Sequence, residues 1–143
     1  MRYLGLDVGT KKIGMSMSDR SFTLAYPYKV IEFTNVDDAV QEVVDILWQY
    51  DIIGIVIGLP KNMNNTSGPA VERTLEFKKQ IEEVAGKGIP VYLIDERLTT
   101  VEAEKLLIDR GYSRAKRKDY IDGVAAVFIL ETFLNMKKES EKR

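Results

Sequence analysis

Three acidic side chains occupy separate segments of the chain, each at a position where a carboxylate is locally unfavourable. Asp7 interrupts an apolar strand pattern, Glu96 directly follows another, and Asp122 lies in the first turn of the most hydrophobic helical pattern. Carboxylates are rarely buried without a partner, so three of them at the ends of elements suggest a shared partner. A divalent cation is the natural candidate, because hard cations take oxygen ligands and can hold several acids together.

The absence of two residue types narrows the chemistry. The 143-residue chain contains no Cys and no His. Disulfides, zinc–thiolate sites and cysteine nucleophiles are therefore excluded, and the commonest general base near neutral pH is missing. Any hydrolysis must depend on carboxylates, Lys, Tyr, hydroxyls or a metal-activated water.

Charge is balanced overall but uneven along the chain. The 21 Lys and Arg against 22 Asp and Glu give a net charge of −1, which by itself does not indicate nucleic-acid binding. Lys11 and Lys12 form one small basic group. A larger one occupies a short later stretch, with Arg110, Arg114, Lys116, Arg117 and Lys118. Such groups are as typical of solvated surface as of an anion-binding face.

Length and hydropathy predict the general class of the protein. The length and a hydrophobic content of 45% favour one globular domain spanning residues 1–143. The first residues lack the pattern of a secretory signal, and the longest apolar run, 123–130, is too short to span a bilayer. We therefore expect a cytoplasmic protein that does not insert into a membrane.

The order of predicted elements gives the fold class. Alternating and apolar runs predict strands at 2–8, 13–19, about 25–32, 52–57 and 91–94. Helical spacing predicts helices from Val36, from Pro69 to about Ala85, from Thr99 to Asp109, and from about Asp119 to Met136, followed by a frayed tail. This order predicts an α/β fold in which an antiparallel meander and two parallel strands form a mixed five-stranded sheet with helices on both faces.

The predicted topology brings the acids towards one place. Ligands of open α/β sheets bind at the carboxyl ends of the parallel strands, where Asp7 and Glu96 fall. Asp122 shares a helical face with apolar residues and is expected to point inward. Each acid also has a purely structural explanation: Asp7 as a turn cap, Glu96 as a partner of Arg97, and Asp122 as a favourable charge at a helix N-terminus. None of these roles requires the three to converge.

Four separated motifs resemble those of a known family over essentially the whole chain. They are Gly5-Leu-Asp-Val-Gly-Thr-Lys-Lys-Ile-Gly14, Gly58-Leu-Pro60, Asp95-Glu-Arg-Leu-Thr-Thr100 and Asp122-Gly-Val-Ala-Ala126. Together they resemble the YqgF/RuvX family of ribonuclease-H-like proteins. Its members are described as nucleases that mature the 5′ end of the small-subunit (pre-16S) ribosomal RNA precursor, and in older usage as Holliday junction resolvases. One departure is Asn64-Asn65, where many members have a glycine.

The resemblance implies a metal-dependent phosphodiesterase. Its catalytic and metal-binding acids would be Asp7, Glu96 and Asp122, holding two Mg²⁺ or Mn²⁺ ions that activate a water, with Asp7 bridging them. Residues expected to contact the nucleic acid are Thr10, Lys11, Lys12, Arg97, Arg114, Lys116, Arg117 and Lys118. The implied partners are precursor rRNA or branched DNA, and ribosomal assembly intermediates.

Three other interpretations remain open from the sequence. The protein could be a Holliday junction resolvase, which would act as a dimer to make paired cuts. It could also be a nucleic-acid-binding ribosome assembly factor without hydrolytic activity. The turn Asp7-Val-Gly-Thr10 also resembles the phosphate loop of sugar kinases and actin, but those proteins duplicate the domain, and this chain has length for only one.

Overall fold

The computed structural model describes residues 1–60, 68–96 and 114–141, with the side chains of the last helix described from Val124 onward. In chain order the elements are β1 Arg2–Val8, β2 Lys12–Ser18, β3 Ala25–Glu32, α1 Val36–Gln49, β4 Ile52–Leu59, α2 Pro69–Ala85, β5 Val91–Asp95 and α3 Arg114–Glu141. The predicted order is confirmed for these elements. The helix predicted from Thr99 to Asp109 lies outside the described residues.

The five strands form one mixed sheet in the order β3-β2-β1-β4-β5. The pairs β1–β2 and β2–β3 are antiparallel, whereas β1–β4 and β4–β5 are parallel. The predicted meander followed by parallel strands is therefore confirmed. Pro27 lies in β3, which is an edge strand of the sheet. An edge strand has no neighbouring strand on one side, so proline, which lacks an N–H, is tolerated there.

Large aliphatic side chains cover the face of the sheet that packs against α1 and α2. Strand residues alternate between faces, so every second residue of β1, β2 and β4 contributes to this core. The strand members are Leu4, Leu6, Val8, Ile13, Met15, Met17, Ile55 and Ile57. From the helices, Val40, Val43, Leu47, Phe77 and Ile81 pack onto them.

Small residues line the opposite face, which packs against α3. They include Gly5, Gly14, Ser16, Ser18, Gly54 and Gly58, all buried. The sequence pattern of β2 suggests a strand with one solvated face, and this is wrong. Ser16 and Ser18 have no exposed surface because α3 covers them. Their hydroxyls are satisfied by backbone groups, since Ser18 Oγ accepts from the Tyr3 N–H at 2.8 Å.

Local signals explain where α1 and α2 begin and end. Asn35 caps α1 by accepting a hydrogen bond from the backbone N–H of Asp37 at 2.8 Å. Pro69 occupies the first turn of α2, where no N–H is needed. At the other end of α2, Gly86 adopts a φ of 83°, a left-handed conformation that favours glycine.

The last helix is longer than its sequence pattern predicts. We expect a helix from about Asp119 to Met136, whereas α3 runs from Arg114 to Glu141. The charged tail is helical rather than frayed, with Lys137 and Glu141 spaced as an i,i+4 pair, 4.0 Å apart. Of the helices in the described part of the chain, none is long and apolar enough to cross a membrane.

Candidate active site

Asp7 lies at the carboxyl end of β1 on the α3 face of the sheet. The two-residue strand period puts it on the same side as Tyr3 and Gly5. Tyr3 packs in the cluster around α3, and a Cβ added at Gly5 would lie 2.9 Å from the carbonyl oxygen of Ala126 in α3. Asp7 is partly buried. The Asp7 carboxyl group therefore lies at the end of a buried strand, on the face of the sheet that α3 covers.

Glu96 reaches the same place from the end of β5. It continues the alternation of Tyr92 and Ile94, which face α3. Gly58, at the end of the intervening strand β4, leaves the space for the Glu96 side chain. A Cβ at Gly58 would collide with Glu96 Oε1 and would lie 2.5 Å from Ile129 Cδ1. The absence of a side chain at Gly58 therefore lets Glu96 lie across β4 towards β1.

The carboxyl groups of Asp7 and Glu96 are in hydrogen-bonding contact. Burial, followed by the hydrogen bond to Asp7 and by the charges of Asp7 and Asp95, raises the pKa of Glu96 from 4.5 to about 9. Burial is the largest of these causes, and the neighbouring carboxyl groups add to it because two acids in contact resist ionising together without a counter-charge. The structure therefore brings together two of the three acids that were expected to converge.

Helix α3 is held close to the sheet beside these acids. Ser16 Oγ donates to the carbonyl oxygen of Ala126 at 2.6 Å, and Gly5 provides the clearance for this approach. Further along α3, the Phe133 ring packs on Tyr3 with centroids 5.1 Å apart. The helix therefore runs antiparallel to β1.

Asp122 belongs to α3, one turn before Ala126, but its side chain lies outside the described residues. One helical turn advances about 6 Å, and the two residues from Gly5 to Asp7 advance about 7 Å. Because Ala126 lies against Gly5, the backbone at position 122 is on the Asp7 end of the helix.

The expected nucleic-acid contacts fall into two groups. Thr10, Lys11 and Lys12 form the exposed turn after β1, closed by a 2.8 Å hydrogen bond from the Gly9 N–H to the Lys12 carbonyl. This turn and Asp7 border a cavity of about 280 Å³. The others cannot be placed: Arg97 lies outside the described residues, and Arg114, Lys116, Arg117 and Lys118 lie in the first turns of α3 with their side chains undescribed.

Two contributors to this site were missed from the sequence. Gly58 belongs to the Gly-Leu-Pro motif, but its role as the space for Glu96 needs the neighbouring strand. Ser16 looked like a solvent-facing residue, yet it anchors α3. The available signal was the run of small residues at alternate positions, which permits a close helix approach.

The donor set of the site fits a hard divalent cation. Asp7 and Glu96 offer only carboxylate oxygens, the ligands that Mg²⁺ and Mn²⁺ prefer. Their contact beside the apolar Ile129 side chain disfavours ionisation of both acids, and a bound cation would supply the counter-charge that lets both be deprotonated. Among the side chains that the structure describes, no group of three or more acids is arranged for a metal, and Asp122 is not among those side chains.

The architecture is the ribonuclease-H-like fold. The fold is similar to that of T. thermophilus RuvC in complex with Holliday junction substrate, with a TM-score of 0.64, 17% identity, and coverage of 98% of this chain and 97% of that chain. It is also similar to the fowlpox virus resolvase in complex with Holliday junction DNA, with a TM-score of 0.52, 10% identity and coverage of 99% of both chains. At these identities the likeness defines the fold class alone.

Sequence comparison identifies the family. The model of the family described as "RuvX: Holliday junction resolvase" matches residues 1–136. A relative from Pediococcus pentosaceus named "Putative pre-16S rRNA nuclease" is 44% identical over 138 residues, covering 94% of this chain and 93% of its own. One of the same name from Thermoanaerobacter pseudethanolicus is 43% identical over 139 residues, covering 96% and 99%. The chain belongs to the RuvX family, as its four motifs predict.

Proposed function

We propose that this protein is a metal-dependent nuclease that hydrolyses phosphodiester bonds near the 5′ end of pre-16S rRNA in the cytoplasm. The observation that carries the proposal is the contact between the Asp7 and Glu96 carboxyl groups at the carboxyl edge of the parallel strands. Family membership and the names of the relatives support the nuclease activity and its rRNA substrate.

The proposed metal ligands are Asp7, Glu96 and Asp122. Asp7 is central because it contacts Glu96 on one side and lies under α3 on the other. Position 122 is supported by its place in α3, one turn from the Ala126 carbonyl that Ser16 holds. Two Mg²⁺ or Mn²⁺ ions, when bound, supply Lewis-acid chemistry for phosphodiester hydrolysis.

The turn after β1 is proposed to hold the substrate backbone. Lys11 and Lys12 bring positive charge to the cavity that Asp7 borders, and Thr10 adds a hydroxyl donor. A phosphate bound over this turn would lie beside the acids. This position would orient the scissile bond towards them. The basic residues Arg97, Arg114, Lys116, Arg117 and Lys118 are proposed to bind the strand beyond the cut.

A cleavage assay with two substrates tests the proposal. A labelled pre-16S rRNA 5′ fragment and a labelled four-way DNA junction are each incubated with Mg²⁺, with Mn²⁺ or with chelator. We expect metal-dependent cleavage of the RNA, lost in Glu96→Gln and Asp122→Asn. Asp45→Asn, an exposed acid on α1, is the matched control and should cleave normally. Equal cleavage in chelator would contradict a metal-dependent mechanism.

A binding measurement separates metal sites from activity. Mn²⁺ titrated into the wild type, followed by calorimetry or paramagnetic resonance, should show binding that weakens in Asp7→Asn and in Asp122→Asn. The Asp45→Asn control should bind as the wild type does. Unchanged affinity in Asp122→Asn would remove that residue from the ligand set while leaving the other two acids.

The fold likeness to RuvC favours a second candidate, a Holliday junction resolvase. Such an enzyme introduces paired cuts and needs two sites related by symmetry. Symmetric cleavage of the four-way junction by a dimeric species, with the RNA left intact, would establish this alternative. Binding of RNA without cleavage in either metal would instead indicate the assembly-factor role.

A further inference from the structure

A second cavity opens on the other side of the turn after β1, against α2. It has a volume of about 130 Å³. The cavity shares Gly9 and Thr10 with the one that Asp7 borders, so the turn separates the two. A nucleic-acid strand held over this turn could therefore place one group beside the acids and a neighbouring group in the second cavity.

Aromatic and aliphatic side chains form most of its wall. Phe77, a residue of α2, is buried in the core. Phe33 is fixed to the turn because its N–H donates to the Lys11 carbonyl at 2.9 Å. Val8 and Val36 complete the apolar part. These walls exist without any ligand, because the hydrophobic core and a backbone hydrogen bond hold them in place.

One residue that lines this cavity carries a buried donor without a partner. Among the side chains that the structure describes, Arg73 Nε is buried without a hydrogen bond. Buried N–H groups are rarely left unsatisfied, because an unpaired buried donor is unfavourable. Arg73, Glu76 and Gln80 all line the cavity from one face of α2, at positions i, i+3 and i+7. Gln80 Nε2 also donates to Glu76 Oε1 at 3.4 Å.

The composition of the cavity favours a nucleobase over a phosphate group. A cavity of this volume has about ten times the space that one water needs. A phosphate placed here would lose its hydration against apolar walls, which is costly. A flat base instead gains from contact with aromatic rings, the usual way in which unstacked bases of single-stranded RNA are bound.

The polar groups identify the base. The Arg73 guanidinium can only donate hydrogen bonds, and the carboxylate oxygens of Glu76 accept them. Guanine presents two neighbouring acceptors, N7 and O6, and an amino donor at N2. We propose that this cavity binds an unstacked guanine of the RNA substrate, with Arg73 donating to its acceptor edge and Glu76 accepting from its donor edge. The inference rests on the proposed action on RNA and adds a determinant of sequence specificity.

A binding assay without cleavage tests this inference. The full chain in chelator is titrated against fluorescein-labelled oligouridine of about ten nucleotides, a typical length for a single-strand site. Each oligonucleotide carries a single G, A, C or abasic position, moved along the strand. We expect the oligonucleotide with G at one position to bind at least about fivefold more tightly than the others, as one bidentate contact provides.

Arg73→Met should abolish this preference, so that the oligonucleotides carrying G bind this variant no more tightly than plain oligouridine does. Lys79→Met, an exposed position on the same helix, should retain the preference. Removing an unpartnered buried donor should leave the thermal midpoint of Arg73→Met unchanged or higher. A midpoint lowered by many degrees would show that Arg73 is structural and would overturn the inference.

The two proposals fail in different ways. If the wild type lacks a preference for guanine, or if Arg73→Met retains it, the base-binding role is rejected, whatever the cleavage assay shows. If guanine preference depends on Arg73 but RNA is never cleaved, the base-binding role stands and the nuclease proposal is rejected.

Discussion

The two faces of the sheet are built from alternate residues of the same strands, yet they differ in almost every side chain. Towards α1 and α2 the strands present large aliphatic groups such as Leu6, Met15 and Ile57, which form the main core. Towards α3 they present mostly glycine and serine, and the acids Asp7 and Glu96 at one end. The large side chains of the first face fill the core, whereas the small residues of the second face let the backbone of α3 approach closely.

The α3 face is itself divided along its length. At the amino end of β1, Tyr3 packs on Phe133, and Tyr92 packs on the same ring at 4.7 Å. At the carboxyl end lie the acids, with Gly58 beneath Glu96. Aromatic packing thus anchors α3 at one end, so that the acidic groups at the other end need not stabilise it. Stability and chemistry are carried by different parts of the molecule.

The largest expected effect is on activity, at the acidic end of the α3 face. Asp7→Asn should lower the cleavage rate by about a hundredfold or more, the usual loss when a charge-stabilising group is removed. The fold should persist, with an equal or higher thermal midpoint, because a neutral amide replaces a partly buried carboxyl group. Rate and midpoint are measured on the same preparation, with Asp45→Asn as control. Full activity in Asp7→Asn would place the site elsewhere.

The next effect is on stability, at the opposite face. Leu6→Ala leaves a cavity beneath α1 and should reduce the free energy of unfolding by about 2–5 kcal/mol, as measured by denaturant titration. Because Leu6 points away from the acids, the cleavage rate per folded molecule should stay near that of the wild type. A large loss of rate in the folded variant would show that the two faces are not independent.

Compared with Leu6→Ala, a substitution at Gly58 is expected to lower stability less and activity more. In Gly58→Ala the new methyl group would collide with Glu96 Oε1 and Ile129 Cδ1, both ends of side chains that can move. Overpacking of this kind costs about 1–3 kcal/mol. Displacing Glu96 should nevertheless weaken Mn²⁺ binding and cleavage more than Leu6→Ala does. Unaltered metal affinity in Gly58→Ala would mean that the position of Glu96 does not matter.

The last expected effect, which appears in the wild type without any substitution, is a dependence of stability on pH in chelator. The pKa of Glu96 is about 9 in the folded chain, compared with an ordinary value of 4.5. Its stabilising contribution is therefore complete below about pH 4.5 and is lost as pH rises through about 9. Thermal midpoints across this range should fall for the wild type and change less for Glu96→Gln. Divalent cations, which bind the deprotonated acids, should offset the fall at alkaline pH.

Sequence reasoning predicted the topology well because periodicity is a local property. The alternation in β1 and β2, the unbroken apolar run of β4, and the proline at the start of α2 each predict their element from a few neighbouring residues. The meeting of Asp7 and Glu96 then follows from the rule that parallel strands end at one edge. The catalytic roles of these acids and of Asp122 stay predictions.

The errors came from burial that depends on distant segments. The pattern of β2 could not show that α3 would cover Ser16 and Ser18, because that contact joins the two ends of the chain. Nor could helical spacing give the bounds of α3, since its charged last turns carry no apolar signal. The cavity at Arg73 requires α2, the turn after β1 and Phe33 together.

By itself, the sequence determined the order of elements, the face on which each strand residue lies, and the family to which the chain belongs. Only the tertiary structure decided how closely α3 approaches the sheet, that Glu96 lies across Gly58 in contact with Asp7, and that Arg73 is left with an unpartnered buried donor. The reason is physical. Local conformation depends on neighbouring residues, whereas burial and the pKa of a carboxyl group depend on which distant atoms exclude water from it.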